Sequence, residues 1–182
     1  MVKVLKGIIA ALWESSVKPE EVETETVFFL NGSITELPER LKHFHNHNKR
    51  VLVDIDFISG LRSDKAGIHF LKGIGVDGII TAKLKVRNIA NSLGLTSILR
   101  FFALDSRAVD RGIEQIESNK IDIVEILPGI ISKKVAPKLR YFIPDIKIVA
   151  AGLVDKTEEI NELKKHVNAI STSRRDLWNY KW

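Results

Sequence analysis

The chain has 182 residues, of which 45% are apolar and 28% charged, the profile of a globular protein with core enough for one domain. Cysteine is absent, which excludes disulfides, thiolate metal sites and cysteine nucleophiles together and suits a reducing cytoplasm. Twenty-eight Lys and Arg against 23 Asp and Glu leave a net charge of +5 and a pI of about 9.4, a mild bias toward a polyanionic partner or a phosphorylated ligand. No apolar run approaches the roughly 18 residues of a membrane span, and no signal-peptide pattern opens the chain. A cytoplasmic protein with no membrane partner is therefore expected.

Gly7 to Leu12 and Val27 to Leu30 are continuous apolar runs, read as strands 1 and 2. Neither alternates with polar residues, as expected for strands buried on both faces of a parallel sheet. Trp13 to Thr26, with Pro19 and several glutamates, leaves room between them for only a short or degenerate helix. Ile34, Leu37, Leu41 and Phe44 then recur at helical spacing, with Pro38 near the start.

Strand 3 is read over Arg50 to Ile55, followed by a helix through Ile68, Leu71 and Ile74 with Asp64 as its N-cap. Strand 4 is Asp77 to Thr81, and its helix runs through Leu84, Ile89 and Leu93 to Gly94. Strand 5 is Ser97 to Ala103, before a helix capped by Asp105 or Ser106 and buried through Val109, Ile113 and Ile116. Strand 6, Ile121 to Leu127, stops at Pro128-Gly129, and Ile130, Val135 and Leu139 mark the next helix.

Strand 7 lies within Ile146 to Asp155. Asp155 with Glu158 resembles a capping box, and Ile160, Leu163 and Val167 give that helix its buried face. Strand 8 is Ala169 to Thr172, with a last helix through Leu177 and Trp178. Eight strands alternating with helices predict an α/β fold, a compact (β/α)8 TIM barrel forming a single domain over residues 1–182. The chain is short for that fold, which usually takes roughly 200 residues or more, so the helices must be trimmed. An open doubly wound sheet is the alternative.

In a (β/α)8 barrel the chemistry collects at the C-terminal strand ends, and phosphate sits in the loops after strands 7 and 8. Here those two loops read Ala151-Gly152-Leu153 and Ser171-Thr172-Ser173. Small and hydroxyl residues at a helix start let backbone N–H groups converge on an anion; plain helix capping is the alternative for the serines and threonine. The other strand ends are unusually polar. Strand 3 closes with Asp54 and Asp56, which strand alternation would point to one face. Strand 4 ends at Lys83, strand 5 carries Arg100 and strand 6 carries Glu125. One reading is structural: Arg100 pairs with Glu125, and Lys83 with Asp56. The other is a cup in which Lys83 and Arg100 meet anionic groups while Asp56 and Glu125 accept from hydroxyls, suited to a small polyol phosphate.

Three further features have plain alternatives. His43 and His47 are four apart on a predicted helix, with His45 between them, a spacing that binds zinc; no third ligand stands nearby in sequence, so a solvated helix face and no metal are expected. Arg174 and Arg175 with Trp178, Tyr180 and Trp182 combine charge and rings as single-stranded RNA surfaces do, although tail aromatics more often pack. Lys133, Lys134, Lys138 and Arg140 form a basic helix face, usually only solvated.

The run Asp54-Ile55-Asp56-Phe57-Ile58-Ser59-Gly60-Leu61-Arg62-Ser63-Asp64 resembles the bacterial glycerol-3-phosphate-responsive antiterminators, the glycerol uptake operon regulatory proteins. So do Gly78-Ile79-Ile80-Thr81-Ala82-Lys83, Arg100-Phe101-Phe102-Ala103-Leu104-Asp105-Ser106, Glu125-Ile126-Leu127-Pro128-Gly129, Ala150-Ala151-Gly152-Leu153 and Ser171-Thr172-Ser173-Arg174-Arg175-Asp176-Leu177-Trp178. The motifs run in family order over nearly the whole chain.

The resemblance implies a barrel that senses glycerol 3-phosphate and, once liganded, binds its leader mRNA and lets transcription pass a terminator, with no catalysis and no cofactor. It implies that Gly152, Leu153, Ser171, Thr172 and Ser173 hold phosphate, while Asp54, Asp56, Lys83, Arg100 and Glu125 read the glycerol. Asp54 stands where the family usually has histidine, and Ala151 where it has a second glycine. The first adds negative charge to the cup and the second removes backbone freedom beside the phosphate loop.

A small enzyme acting on a phosphorylated substrate, an aldolase or isomerase with Lys83 as Schiff-base lysine, is the competing reading. Barrel helix faces also offer surfaces for a homo-oligomer, with no one face distinguished by the sequence.

Overall fold

The computed structural model describes residues 5–182; residues 1–4, part of the domain expected over 1–182, lie outside the described residues. Eight strands carry the architecture: β1 (Gly7–Leu12), β2 (Thr26–Phe29), β3 (Arg50–Asp54), β4 (Gly78–Thr81), β5 (Thr96–Phe102), β6 (Ile123–Leu127), β7 (Lys147–Ala151) and β8 (Ala169–Thr172). They close into a barrel in the order β1-β8-β7-β6-β5-β4-β3-β2, so the open doubly wound sheet is excluded. The helices are α1 (Leu37–Asn46), α2 (Lys65–Ile74), α3 (Leu84–Ser92), α4 (Ser106–Ser118), α5 (Ser132–Phe142) and α6 (Thr157–Leu163).

Of the eight segments that follow barrel strands, the first and the last carry no α-helix, and this is how the barrel fits a short chain. Between β1 and β2 there is only the 3-10 turn Pro19–Glu21. After β8 the expected last helix is the 3-10 turn Arg175–Leu177. Its brevity has a local cause: the Trp178 indole N–H donates to the Thr172 carbonyl at 2.9 Å and draws the chain back onto the strand it has just left.

The described chain divides into two compact units, one of Ile9–Ile98 and one of Leu99–Trp182 with residues 5–8. In the first, parallel register sets Ala10 opposite Val27, Val27 opposite Val51, and Leu52 opposite Gly78. In the second, Arg100 stands opposite Glu125, Glu125 opposite Val149, and Val149 opposite Ala169. The strand interiors, among them Ile9, Val27, Leu52, Ile79, Val124, Ile148 and Ile170, are fully buried or nearly so, which accounts for their lack of polar alternation.

Helix starts follow the expected side chains where those have room to bond. Asp64 accepts from the Gly67 N–H at 2.9 Å, and Asp105 from the Ala108 N–H at 2.7 Å. The box expected from Asp155 and Glu158 is shifted by one residue. Lys156 keeps extended backbone, so α6 begins at Thr157 and the acidic residue in position is Glu159. Its carboxylate accepts from the N–H groups of Asp155 (2.8 Å) and Lys156 (3.1 Å).

Two glycines of α2 give opposed expectations. A Cβ on Gly67 would lie 1.9 Å from the Arg62 carbonyl oxygen, whereas one on Gly73 would meet nothing within 4 Å. Gly67→Ala gains at most about 1 kcal/mol of helix propensity and meets an overpacking cost of roughly 1–3 kcal/mol, a clash with backbone falling at the high end. Denaturant unfolding should show Gly67→Ala destabilised by about 2 kcal/mol. Gly73→Ala should be stabilised by about 0.5–1 kcal/mol.

Candidate ligand site

In the second unit, β7 ends at Ala151, still in strand register opposite Ser171. The chain then turns through two successive left-handed residues, Gly152 at φ 76° and Leu153 at φ 55°. Glycine adopts this conformation freely; leucine does so at a cost of about 1–2 kcal/mol. Leu153 is 67% exposed, so packing of its own side chain does not offset that cost. The turn is held from outside. The Gly129 N–H donates to the Gly152 carbonyl at 2.8 Å, and the buried Thr172 hydroxyl donates to the Val154 carbonyl at 3.0 Å. Gly129 must be glycine, because a Cβ there would sit 2.9 Å from the Ala151 nitrogen.

Thr172 does more than bridge. Its hydroxyl also accepts from the Arg174 N–H at 3.1 Å, so one side chain ties the loop after β7 to the loop after β8. Ser171 and Thr172 are buried and Ser173 is exposed. The structure thus brings Gly152, Leu153, Ser171, Thr172 and Ser173 into two coupled loops. It does not supply the helix start expected after Ser173, where a three-residue 3-10 turn stands instead. Any anion held here relies on loop amides and hydroxyls more than on a helix dipole.

Arg100 and Glu125 lie side by side on β5 and β6, with Nε 2.7 Å from Oε2 and both side chains almost wholly buried. Burial pushes the Glu125 carboxyl above its ordinary range, and the neighbouring guanidinium opposes that push.

In the first unit, β3 stops at Asp54, so strand alternation does not direct Asp56, which belongs to the following turn. Asp54 is fully buried and its Oδ1 accepts from the Asp56 N–H at 3.0 Å. Asp56 accepts from the Ser63 hydroxyl (2.8 Å), the Thr81 hydroxyl (2.9 Å) and the Ala82 N–H (2.9 Å), and pairs with Lys83 Nζ at 3.1 Å. Burial alone would raise the Asp56 carboxyl, but these four donors outweigh it and hold the group below the ordinary value. Both pairings of the structural alternative are therefore present. Ser63, Thr81 and the Ala82 amide were not singled out from sequence, although all three lie in the quoted motifs; only the fold shows them converging on one carboxylate.

The tail aromatics pack. Trp178 is buried, and the Tyr180 hydroxyl donates to Asn161 Oδ1 at 2.6 Å while accepting from Lys164 at 2.8 Å. Arg174 makes a two-pronged contact with Asp176, at 3.0 and 3.2 Å, and Arg175 lies 6.0 Å from the Trp178 ring centre. The basic face of α5 is also engaged: Lys133 pairs with Glu162 at 2.8 Å, Lys138 with Asp110, and Arg140 donates to the His166 carbonyl at 2.7 Å. On α1, His45 contacts Asp77 at 2.8 Å, while His43 and His47 turn elsewhere.

The sequence model describing a glycerol-3-phosphate responsive antiterminator matches residues 8–178. A glycerol uptake operon antiterminator-related protein from Thermotoga maritima MSB8 is 49% identical, with a TM-score of 0.91 over 97% of this chain and 99% of that one. A glycerol uptake operon antiterminator regulatory protein from Listeria monocytogenes is 28% identical, with a TM-score of 0.86 over 96% of each chain. The uncharacterized protein YgcP of Escherichia coli K12 is 29% identical over 94% of this chain and 91% of its own length.

The buried pair makes a sharp double-mutant expectation. At pH 7, Arg100→Met should cost about 3–5 kcal/mol, because it strands the Glu125 carboxylate in the interior. Since the folded-state value of Glu125 is raised, that loss should shrink as pH falls and the group protonates. Arg100→Met with Glu125→Met should recover most of it. The cost of Asp56→Asn should also shrink as pH falls, but at lower pH: the depressed carboxyl supports the fold above the ordinary carboxyl range, and its contribution disappears as pH falls through and below that range. Urea unfolding between pH 3 and 8 reads both.

Proposed function

Because the chain belongs to the glycerol-3-phosphate responsive antiterminator family, we propose that it is a non-catalytic cytoplasmic regulator that binds glycerol 3-phosphate and, when liganded, binds the leader mRNA of a glycerol-uptake operon. In this reading the phosphate lies against Gly152, Leu153, Ser171, Thr172 and Ser173. Arg100 and Glu125, in the same unit as those loops, are the polar side chains that read the glycerol. Arg174 and Arg175 meet RNA phosphates, Arg174 by exchanging its Asp176 partner for one. No cofactor or metal takes part in ligand binding.

The observation that carries the proposal is the coupling of the two loops through Thr172 beside the left-handed turn at Gly152 and Leu153. A non-glycine residue held at positive φ with an exposed side chain is a conformation that a bound ligand can explain. The coupling also gives a route from ligand to RNA, because the hydroxyl that ties down the phosphate loop accepts from the amide of Arg174. Lys83 argues for a non-catalytic site. A Schiff-base lysine is activated by desolvation or a neighbouring cation; this one has a carboxylate neighbour and a side chain 58% exposed.

Calorimetry with glycerol 3-phosphate, glycerol and inorganic phosphate is the direct test. Glycerol 3-phosphate should bind at least about 100-fold more tightly than either fragment. Ser173→Asp, an exposed substitution that places a carboxylate beside the anion, should weaken it at least tenfold, about 1.4 kcal/mol. Leader RNA should bind in a salt-sensitive way and more tightly with ligand present. Binding of the three small molecules with equal weakness would overturn the ligand, and RNA affinity unchanged by ligand would overturn the coupling.

A further inference from the structure

We propose that Glu20, His43 and His47 form a binding site for a divalent transition-metal ion of the Zn²⁺ type, away from the strand ends. Two of the five histidines, His43 and His45, lie on α1, and a third, His47, is its C-cap. His45 is occupied by Asp77. His43 and His47, one helical turn apart, present Nε2 to a single oxygen, Glu20 Oε1, at 3.6 and 3.0 Å. The three ligand atoms lie within 4.8 Å of one another. Tetrahedral Zn²⁺ with bonds of about 2.0–2.2 Å places its ligand atoms about 3.3 Å apart, so the two distances to Glu20 bracket the required spacing.

The protonation pattern points to a cation. α1 ends at Asn46, and the His47 amide donates to the Phe44 carbonyl at 3.1 Å instead of reaching back to His43. The His43 carbonyl is taken by the ring of His47, whose Nδ1 lies 2.9 Å away. A carbonyl only accepts, so Nδ1 carries the proton. This is the outer hydrogen bond that orients metal-binding histidines. In the neutral ring it leaves a bare lone pair on Nε2 aimed at a carboxylate oxygen. Two acceptors at 3.0 Å repel unless a proton or a metal ion joins them, and with His43 facing the same oxygen the arrangement suits one ion held by three atoms.

Glu20 is pre-positioned as well. It sits in the turn Pro19–Glu21, where Pro19 is buried and Glu21 accepts from the Lys18 N–H at 2.9 Å. The cluster is open to solvent, with Glu20 and His43 exposed and His47 partly so. His43 also lines an open groove of about 580 Å³ with Ser15, Lys18, Glu39 and Arg40. Water can therefore complete the coordination, and the ion can exchange. Bound metal would fasten the β1–β2 connection to α1, adding to the bond that Arg40 donates to the Glu14 carbonyl. The sequence hid this site because its third ligand lies 23 residues before the first histidine, in a stretch with no periodic pattern.

Untagged protein at pH 7.5, where protons compete least, should be titrated with Zn²⁺ against a chromogenic chelator. One ion per chain is expected. Glu20→Gln, His43→Ala and His47→Ala should each weaken it at least about tenfold, with His45→Ala within twofold of the parent. The three side chains are exposed, so far-UV circular dichroism should show every variant folded. The ¹⁵N shifts of His43 and His47 Nε2 should move with Zn²⁺, and that of His45 should not. Absence of Zn²⁺ binding would assign the contact to a protonated histidine pair and overturn the proposal. So would a loss on His45→Ala equal to the others, or binding retained when both His43 and His47 are alanine.

Discussion

A strand buried on both faces has no side on which to keep a charge, and in a closed parallel barrel every strand is in that position. Polar side chains are therefore driven toward the strand ends, and one that stays within a strand must find a partner on its neighbour. Arg100 and Glu125 show the constraint at its most severe. Register places them opposite each other on adjacent strands, and burial then makes each the condition for keeping the other ionised. Asp56 shows the milder case, where one step beyond the strand leaves room for three hydrogen-bond donors as well as a lysine.

These pairings serve both a structural and a ligand-binding reading, and magnitude separates the two. A buried ion pair contributes little net stability against a hydrophobic replacement of the same volume, so stability alone is a weak reason to build one between two barrel strands. The coupled loops after β7 and β8 carry a similar imbalance: left-handed leucine costs about 1–2 kcal/mol, and its exposed side chain gives little back. Where a protein holds unfavourable groups in place with neighbours such as Gly129 and Thr172, the arrangement favours a use for the conformation itself.

Much of this was legible in the amino-acid order. The alternation of apolar stretches with helical spacing located all eight strands, two of them, Gly7–Leu12 and Ala169–Thr172, to the residue. Asp64 and Asp105 cap helices as their chemistry demands. The failures are local and have physical causes. One extended residue, Lys156, moved the capping role from Glu158 to Glu159. The last helix was lost because Trp178 bonds back to Thr172, a contact that periodicity does not encode. Asp54 and Asp56 parted company because β3 ends between them, and strand ends are what pattern reading places least well. The donors around Asp56 and the carboxylate facing His43 and His47 were invisible for a different reason: each depends on residues brought together across loops.

The two departures that the resemblance implies, at Ala151 and Asp54, can be weighed against this geometry. Ala151 is the last residue of β7, in register with Ser171, and its backbone is ordinary strand. The left-handed conformation begins one residue later, at Gly152, where glycine is present, and continues at Leu153. A second glycine at 151 would add freedom in the unfolded chain without relieving strain in the folded one, so alanine there is compatible with an intact phosphate loop. Asp54 is the weightier change. It is fully buried at the end of β3, and its Oδ1 accepts the amide of Asp56 and so orders the turn that presents the Asp56 carboxylate. A histidine in its place would offer at most one neutral acceptor to that amide and carry no fixed negative charge. The substitution therefore bears on the charge and shape of the turn after β3, where it sets the position of the Asp56 carboxylate, and on no residue of the loops after β7 and β8.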